Sequence, residues 1–399
     1  MAAFKTLDDY DLSGKRVLVR ADLNVPVADG EVTDATRIER LLPTLREIIK
    51  AEGKAIILSH FGRPKGKVDP EFSLEQVVPA LVAESGHQVG FIPTDWIDVT
   101  DVKEAIDAAP AGSILVIENT RFHPGEEAND AELAKRMASL GDIFVNDAFS
   151  AAHRAHASTE GVAHLLPSAA GRAMQEELSA LEAGLGAPKR PVIAIVGGAK
   201  VSTKLDLLEN LIHKVEALVI GGAMANTFLH AGGLGIGKSL AEKDLAETAN
   251  RVRDKAEDAK CAVILPIDAT VGWHFEANTP HRYYAVDALD PDGMILDIGP
   301  GSIERIKAAI DAAATVVWNG PMGAFEMAPF DHGTVEVARH VAARTKAGKV
   351  VSVAGGGDTV AALAHAGVKD DFTYVSTAGG AFLEWMEGKP LPGVEALKG

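Results

Sequence analysis

The chain has 399 residues, of which 47% are hydrophobic, and this is enough for roughly two or three domains with full cores. Its formal net charge of −17 argues against a general attraction to nucleic acid or to anionic membranes. Cys261 is the only cysteine, which excludes an internal disulfide, and the apolar CAVIL run around it predicts a buried structural thiol in a reducing compartment.

The N-terminal stretch MAAFKTLDDYDLSG has neither the basic start nor the apolar core of a signal peptide. No apolar run approaches the roughly 20 residues of a membrane-spanning helix. We therefore expect a cytoplasmic protein with no membrane partner.

Apolar runs alternate with helical patterns in the first half of the chain, which is typical of βαβ units and a parallel sheet. Each run is a predicted strand that ends in polar or basic residues. The runs are Arg16–Arg20, Ala55–Leu58, Ile114–Ile117 and Ile143–Val145. Because open α/β sheets bind ligands beyond the carboxyl ends of their strands, we expect these polar residues to converge on one site.

The segment TDATRIERLLPTLREIIK follows the first strand and has apolar residues at helical spacing, and Pro43 is predicted to split it into a turn and a helix. Arg37 falls just before the apolar stripe begins, which would direct it back over the sheet edge. The simpler interpretation of a single arginine is a solvated surface charge. Basic residues at the same relative place in successive βαβ units instead favour a binding site for a small, multiply anionic substrate. The predicted basic cluster consists of Arg37, His60, Arg63, Arg121 and Arg154.

His153 and His156 in the AHRAH motif have the spacing of a metal-binding pair. No acid or third histidine lies at ligand spacing nearby, so we favour local hydrogen bonding or substrate contact.

Gly171–Ala183 has helical character and is followed by GLGAPKRP, a stretch rich in glycine and proline. This composition makes residues 184–191 the predicted domain boundary.

Beyond this boundary the predicted strands end in glycine turns instead of basic residues. These strands are Pro191–Val196, Ala217–Ile220, Thr315–Trp318 and Val350–Val353. Glycine lets the backbone approach a ligand closely, and the free amides at a helix start bind phosphate oxygens. Asp358 in the GGGDT turn would repel a bare phosphate and therefore indicates that a divalent cation accompanies it. The alternative is a plain strand-to-helix turn with Asp358 or Thr359 as the N-cap.

The helix predicted after GGAK carries Lys204 in its first turn and leaves Lys200 before its start. Lysines so placed suit a phosphate chain, although exposed surface lysines are the simpler alternative.

Gly232–Ser239 matches the Walker pattern, but the preceding AMANTFLHA looks helical, whereas a true P-loop follows a strand. We expect a loop near the nucleotide there. The chain also lacks a G-x-G-x-x-G motif after a strand with an acid roughly 20 residues on, which weakens a dinucleotide-binding interpretation.

The chain resembles the phosphoglycerate kinase family over nearly its full length. The motifs that carry the resemblance are RADLNVP at 20–26, SHFGRPKG at 59–66, ENTRFHPGEE at 118–127, NDAF and AHRAH within 146–156, GGAKVSTK at 197–204, VWNGPMGAFE at 317–326, GGGDT at 355–359 and LPGVEAL at 391–397. The resemblance implies an α/β protein of two Rossmann-like domains, each a mostly parallel sheet flanked by helices, joined by a helix and hinge. The implied divisions are an N-terminal domain of residues 1–171 plus 385–399, a linking helix at 172–186 and a C-terminal domain at 187–384.

The resemblance also implies reversible phosphoryl transfer from 1,3-bisphosphoglycerate to Mg-ADP, giving 3-phosphoglycerate and ATP in glycolysis, by a monomer. Its implied phosphoglycerate-binding residues are Asp22, Asn24, Arg37, His60, Arg63, Arg121 and Arg154. Its implied nucleotide-binding residues are Lys200, Lys204, Gly221, Gly222, Asn319, Glu326, Gly356, Gly357, Asp358 and Thr359, with Asp358 near the magnesium. Its implied catalytic residues are Arg37, Lys200, Lys204, Gly379 and Gly380.

Two departures from the family pattern bear on backbone approach: Ser150-Ala151 replaces a Gly-Thr pair, and Ala378 replaces a glycine. The reaction needs no general base, because a carboxylate with a pKa of ~4 is already ionised at neutral pH. Catalysis must then come from positioning and charge neutralisation.

The basic residues and the glycine turns fall on opposite sides of the predicted boundary. We therefore expect the two ligand sets to lie on separate domains that close for reaction. Two other functions stay open at this point: an NAD-dependent dehydrogenase, and an ATP-binding sensor that closes on a sugar phosphate.

Overall fold

The structure, a computed structural model, describes residues 4–398. The chain forms two compact units: unit 2 is Ala180–Lys389, and unit 1 combines the chain up to Ser179 with the segment from Pro390 onward. The elements of unit 1 are β1 (Arg16–Arg20), β2 (Val27–Ala28), β3 (Glu31–Val32), α1 (Thr36–Lys50), β4 (Lys54–Leu58), α2 (Val78–Ser85), β5 (Val89–Ile92), α3 (Thr100–Ala108), β6 (Ile114–Ile117), α4 (Ala131–Ala138), β7 (Ile143–Asn146), β8 (Ser168–Ala170) and α5 (Arg172–Leu181), which continues into unit 2.

The main sheet of unit 1 has six parallel strands in the order β5-β6-β4-β1-β7-β8. Both faces are covered, because Val17 and Val19 of β1 pack with α1 on one side while Leu18 packs with α3 and α4 on the other. This explains why the strands are continuous apolar runs. Since β1 lies between β4 and β7, the segments that follow these strands meet at one edge.

The prediction that Pro43 splits the first helix is wrong, since α1 is continuous through it. Pro43 is exposed, so the carbonyl group of Glu39 that it leaves without a helical partner faces water. The apolar face of α1, with Ile38, Leu45 and Ile48 fully buried, stabilises the helix across the proline.

Unit 2 contains β9 (Val192–Val196), α6 (Leu205–Leu211), β10 (Ala217–Ile220), α7 (Gly222–Ala231), α8 (Ala246–Asp258), β11 (Ala262–Ile264), β12 (Asp268–Gly272), β13 (His281–Ala285), β14 (Met294–Ile298), α9 (Pro300–Asp311), β15 (Thr315–Asn319), α10 (His332–Lys346), β16 (Val351–Gly355), α11 (Gly357–His365), β17 (Tyr374–Ser376) and α12 (Gly379–Met386). The chain then returns to unit 1 with α13 (Pro392–Glu395). The main sheet of unit 2 is again six-stranded and parallel, in the order β11-β10-β9-β15-β16-β17.

An antiparallel sheet in the order β13-β12-β14 completes unit 2 and was not among the sequence predictions. Its edge strand β13, HRYYA, is exposed or half-buried throughout, so it lacks the hydrophobic alternation that marks a strand. The predicted α/β class, with mostly parallel sheets flanked by helices, is confirmed. Among residues 4–398, no helix is both long and apolar enough to cross a membrane.

Candidate active site

The predicted phosphoglycerate-binding residues lie at the carboxyl edge of the unit 1 sheet. Asp22 and Asn24 follow β1, His60 and Arg63 follow β4, and Arg37 is in the first turn of α1. Arg121 follows β6, and Arg154 lies in the loop after β7. The structure therefore brings the residues of this basic cluster to one edge, as the strand-end pattern predicts.

Asp22 and Asn24 hold Arg37 in place. The Nη1 of Arg37 donates to Asp22 Oδ1 at 2.9 Å and to the carbonyl oxygen of Asn24 at 2.9 Å. Ser150, a departure from the family pattern, donates its hydroxyl to Asp22 Oδ2 at 2.5 Å, a bond that a glycine could not make. Asp22 thus acts on Arg37, while the remaining nitrogens of this guanidinium make no hydrogen bond with residues 4–398 and are available to a ligand.

His60 is buried and accepts a hydrogen bond at Nδ1 from Arg20 Nη2, 3.0 Å away. Burial, together with the neighbouring Arg20 and Arg121, holds the pKa of His60 well below its ordinary value. The imidazole is therefore neutral, with its proton on Nε2, and can donate one hydrogen bond to an anionic ligand.

A buried polar network holds Arg20, the residue that donates to His60, in place. Arg20 is 1% exposed, and its Nε donates to Ser158 Oγ at 2.8 Å. Ser158 in turn donates its backbone amide and its hydroxyl to the fully buried carboxylate of Glu126. Sequence reasoning missed this network, although a charged residue inside the apolar RVLVR run was a signal that it needed a buried partner.

Arg121 is the buried member of the arginine group, and its Nη1 donates to the carbonyl oxygen of Gly62 at 2.9 Å. Burial lowers its pKa, and the like charges of Arg154 and Arg63 lower it further. Arg63 and Arg154 themselves are exposed. Since these cations repel one another, a multiply charged anion bound among them is stabilised.

His156 next to this group has its backbone amide bonded to Thr159 Oγ1 at 3.0 Å. Burial and the nearby arginines lower the pKa of its imidazole to about 4. Within residues 4–398, no group of three or more histidine, cysteine or acidic side chains is arranged to hold a metal. The hydrogen bond to Thr159 is made by the backbone, so the role of the two imidazoles in the AHRAH motif stays a prediction.

Asp147 anchors the start of α5. Its Oδ1 accepts the backbone amide of Met174 at 3.0 Å, and Gly171 is required because a Cβ there would collide with the carboxylate. Burial raises the pKa of Asp147 to about 6, so the charged form is costly in the folded state.

We expect stability to depend on pH through Asp147. A raised folded pKa means that the folded state binds a proton that the unfolded state does not, so this group stabilises the fold as the pH falls from about 7 toward 5. Relative to Asp147→Asn, the unfolding free energy of the unchanged protein should rise by about 1 kcal/mol over that interval. Urea denaturation of both proteins at the two pH values measures this difference, and a difference that does not change with pH would contradict it.

Lys204 joins two of the glycine turns in unit 2. Its Nζ donates to the carbonyl oxygen of Gly197 at 2.6 Å and to Asn319 Oδ1 at 2.6 Å. The prediction that Lys204 lies in the first helical turn is wrong: α6 begins at Leu205, and Lys204 is its N-cap. These bonds hold the side chain outside the helix. Burial lowers the pKa of Lys204 to about 8, while the nearby Asp358 carboxylate acts in the opposite direction.

The GGGDT turn is held by the buried Asn319 and by Thr359. Asn319 Nδ2 donates to the carbonyl oxygen of Gly355 at 2.8 Å, and Thr359 Oγ1 accepts the amide of Gly320 at 2.7 Å. The N-cap of α11 is Gly356, whose φ of 99° is the left-handed conformation that glycine adopts readily. The alternative of Asp358 or Thr359 as N-cap is therefore wrong, and Asp358 lies exposed in the first turn.

Several helix starts face the same region of unit 2. α7 begins at Gly222 with Gly221 as its N-cap, and a Cβ on Gly222 would lie 2.6 Å from the carbonyl oxygen of Gly198. α12 begins at Gly379 and Gly380, and a Cβ on Gly379 would lie 3.8 Å from the Gly357 amide nitrogen. The first amides of α11 and α12 thus lie side by side, an arrangement suited to a chain of phosphates.

A cavity of about 500 Å³ opens among these turns, which is the size of a small-molecule site. Gly198, Gly222, Glu326 and Asp358 line its polar part. Its apolar lining suits a planar base and includes Phe275, Leu296 and Met322. We call this space the nucleotide cavity.

The loop from Gly232 to Ser239 follows α7 and not a strand, which agrees with rejecting a Walker site. Its Lys238 lines the nucleotide cavity and pairs with Asp292 at 2.8 Å. Lys200 is exposed, and its ammonium group makes no hydrogen bond with residues 4–398, so it can reach a phosphate.

The residues present fit a magnesium ion that arrives with the nucleotide. Asp358 offers one exposed carboxylate on the rim of the cavity, next to the helix starts that suit phosphates. One or two carboxylates plus phosphate oxygens is the usual way in which proteins bind Mg²⁺.

Comparison with known proteins agrees with this geometry. A family model described as phosphoglycerate kinase matches residues 7–389. The curated phosphoglycerate kinase of Brucella abortus is 65% identical over 395 residues, which cover 99% of this chain and 99% of that protein. The curated phosphoglycerate kinase of Rhodopseudomonas palustris is 66% identical over 395 residues, which cover 99% of this chain and 98% of that protein. The solved structure of phosphoglycerate kinase from Coxiella burnetii superposes with a TM-score of 0.92 at 42% identity, covering 99% of this chain and 98% of that one. The chain therefore belongs to the phosphoglycerate kinase family.

Proposed function

We propose that the chain catalyses reversible phosphoryl transfer between 1,3-bisphosphoglycerate and Mg-ADP, giving 3-phosphoglycerate and ATP in glycolysis. The observation that carries this proposal is the pairing of two ligand sites in one chain. Unit 1 presents a cluster of cations suited to a small organic phosphate. Unit 2 presents a cavity with an apolar wall, glycine turns and a half-buried lysine, which suits a nucleotide.

In the direction of ATP use, a carboxylate oxygen of 3-phosphoglycerate attacks the γ-phosphorus, and the bond from phosphorus to the ADP oxygen breaks. The attacking carboxylate is already ionised at neutral pH, so no proton has to be removed. The work of the protein is to orient both substrates and to neutralise the charge of the passing phosphoryl group.

We assign the residue roles from the family resemblance, and the contacts described above support them. Asp22 and Asn24 orient Arg37, and His60, Arg63, Arg121 and Arg154 bind the phosphate and carboxylate of the substrate. Lys200, Lys204 and the amides of Gly379 and Gly380 face the phosphoryl group, while Gly221, Gly222, Asn319, Glu326 and residues 356–359 hold the nucleotide. Asp358 would hold a magnesium ion together with the nucleotide, and that ion would supply further charge neutralisation.

A coupled assay with ATP and 3-phosphoglycerate tests the function. Release of ADP that requires both ligands supports the kinase. Binding of both ligands without turnover would favour the ATP-binding sensor, and reduction of NAD with a hydroxy-acid substrate would favour the dehydrogenase.

We also propose domains at residues 1–171 with 385–399 and at 187–384, joined by the helix at 172–186. The phosphoglycerate residues belong to unit 1 and the nucleotide residues to unit 2, so hinge closure must bring the two ligands together during turnover. We expect a smaller radius of gyration with both ligands bound than with either alone, measured by small-angle X-ray scattering. An unchanged radius in a mixture that turns over would contradict closure.

We propose a monomer in the cytoplasm with no nucleic-acid or membrane partner. The acidic net charge of −17 and the single buried cysteine support this assignment. Sedimentation at working concentrations tests the oligomeric state.

A further inference from the structure

A second cavity, of about 450 Å³, lies in unit 2 and shares no lining residue with the nucleotide cavity. One wall is the antiparallel sheet, where Thr270 of β12 pairs with Tyr283 of β13, and His281 lies on the same face two residues along. We call this space the histidine cavity. It has no role in the proposed phosphoryl transfer.

The opposite wall is the first half of α10. His332, Val335 and Arg339 line the cavity, and their spacing of three and four residues puts them on one face of the helix. The side chains of His332 and Arg339 make no hydrogen bond or ion pair with residues 4–398. The same holds for the hydroxyl group of Tyr283, so three exposed polar groups line the cavity without a hydrogen-bond partner in residues 4–398.

Two acids lie close to these groups, and each already has another hydrogen-bond partner. Asp331 Oδ2 lies 2.7 Å from His365 Nε2, which also lines the cavity. Glu336 accepts a hydrogen bond from Lys307 Nζ at 3.0 Å, and this bond is the main reason that the pKa of Glu336 is lowered. Arg339 also lowers the pKa of Glu336 and so acts on that carboxylate at longer range, but within residues 4–398 its guanidinium forms no ion pair.

These features point to an anion. A guanidinium pairs in bidentate fashion with a phosphate or carboxylate, and His332 and Tyr283 add further donors. The volume admits a small metabolite, with the rings of His281 and Tyr283 as a wall for its uncharged part. We propose that the histidine cavity is a second ligand site, which binds a small metabolite through its phosphate or carboxylate group at Arg339.

The choice of variants follows from the surroundings of α10. Gly333 and Thr334 bond to Asp297 and Met322, which line the nucleotide cavity, so changes near them would disturb both sites. Arg339 lies more than one turn further along the helix, and its replacement leaves these bonds intact. Arg305 of α9 is exposed and does not line the cavity, so Arg305→Gln is a matched loss of charge.

The test is a titration of the full-length protein, labelled with ¹³C in its histidine rings, followed by NMR. Inorganic phosphate and malonate are the two probes, and the resonances of His332 and His281 report on this cavity separately from those of the basic cluster. We expect saturable shifts in the millimolar range that weaken at least about tenfold in Arg339→Gln and persist in Arg305→Gln.

Comparison of the two probes decides between phosphate and carboxylate ligands. Turnover of ATP and 3-phosphoglycerate by Arg339→Gln should equal that of the unchanged protein, which shows that the variant is folded. Absence of saturable shifts with both probes, or shifts that are the same in Arg339→Gln, would overturn the proposal.

Discussion

Replacing Arg37 with alanine should lower kcat by something on the order of 10³ while changing KM for 3-phosphoglycerate much less. Within the basic cluster, Arg37 is the residue that comes from the start of an α-helix, and Asp22 and Asn24 hold one of its nitrogens. We expect the rest of its guanidinium to meet the transferring phosphoryl group. Its loss should therefore weaken the transition state more than the ground state.

Two further variants separate this role from simple substrate binding. Arg37→Lys should recover little activity, because one ammonium cannot both bond to Asp22 and Asn24 and present a planar fork to the phosphoryl group. Arg63→Ala, which removes an exposed member of the cluster, should raise KM more than it lowers kcat. Steady-state kinetics of the three variants gives the comparison. If Arg37→Ala keeps a near-normal kcat with a much higher KM, Arg37 is an anchor for the ground state.

A smaller effect is expected at Ser150, whose hydroxyl bonds to the same carboxylate as Arg37. Ser150→Gly restores the residue common in the family and removes one restraint on Asp22. Because that carboxylate keeps its bond to Arg37, we expect kcat to fall by only a few-fold. An effect as large as that of Arg37→Ala would show that Ser150 itself contacts the reacting groups.

The strand-end residues could be predicted from sequence because the carboxyl edge of a parallel sheet is fixed by topology alone. Runs such as Ile114–Ile117 fit the strands of a parallel sheet, and the residues that follow parallel strands meet at one edge. The glycine turns were predictable for a related reason: Gly222 and Gly356 occupy positive-φ positions that other residues rarely adopt.

The features that could not be predicted from the sequence depend on contacts between residues far apart in the chain. Arg20, which donates to His60, is held by Ser158, and these two residues lie 138 positions apart in the chain. This is a tertiary contact, and no local sequence pattern predicts it. The cap position of Lys204 depends likewise on acceptors at Gly197 and Asn319. Pro43 was misjudged because helix propensity is local, whereas burial of the opposite face of α1 decided the outcome.

Replacing Lys204 should lower kcat about as much as replacing Arg37. In this case the loss should come both from the missing charge and from a disturbed local structure. Its ammonium joins the carbonyl oxygen of Gly197 to the side chain of Asn319, which in turn holds the GGGDT turn through Gly355. Lys204→Met would remove a cation from the proposed phosphate site and take the ammonium donor from these acceptors. We expect kcat to fall by on the order of 10² to 10³, with weaker ATP binding.

The pH dependence of activity distinguishes the charge of Lys204 from its structural role. With a pKa of about 8, the ammonium is protonated below that pH and loses its proton above it, so kcat/KM for ATP should fall as the pH rises past about 8. Bound phosphates favour the charged form, so the fall in kcat itself should come at higher pH. In Lys204→Arg, whose guanidinium stays charged, the overall rate should be lower but this alkaline fall should be absent. A profile that is flat through this range in the unchanged protein, or an alkaline fall that persists in Lys204→Arg, would assign the titration to another group and leave Lys204 with a structural role.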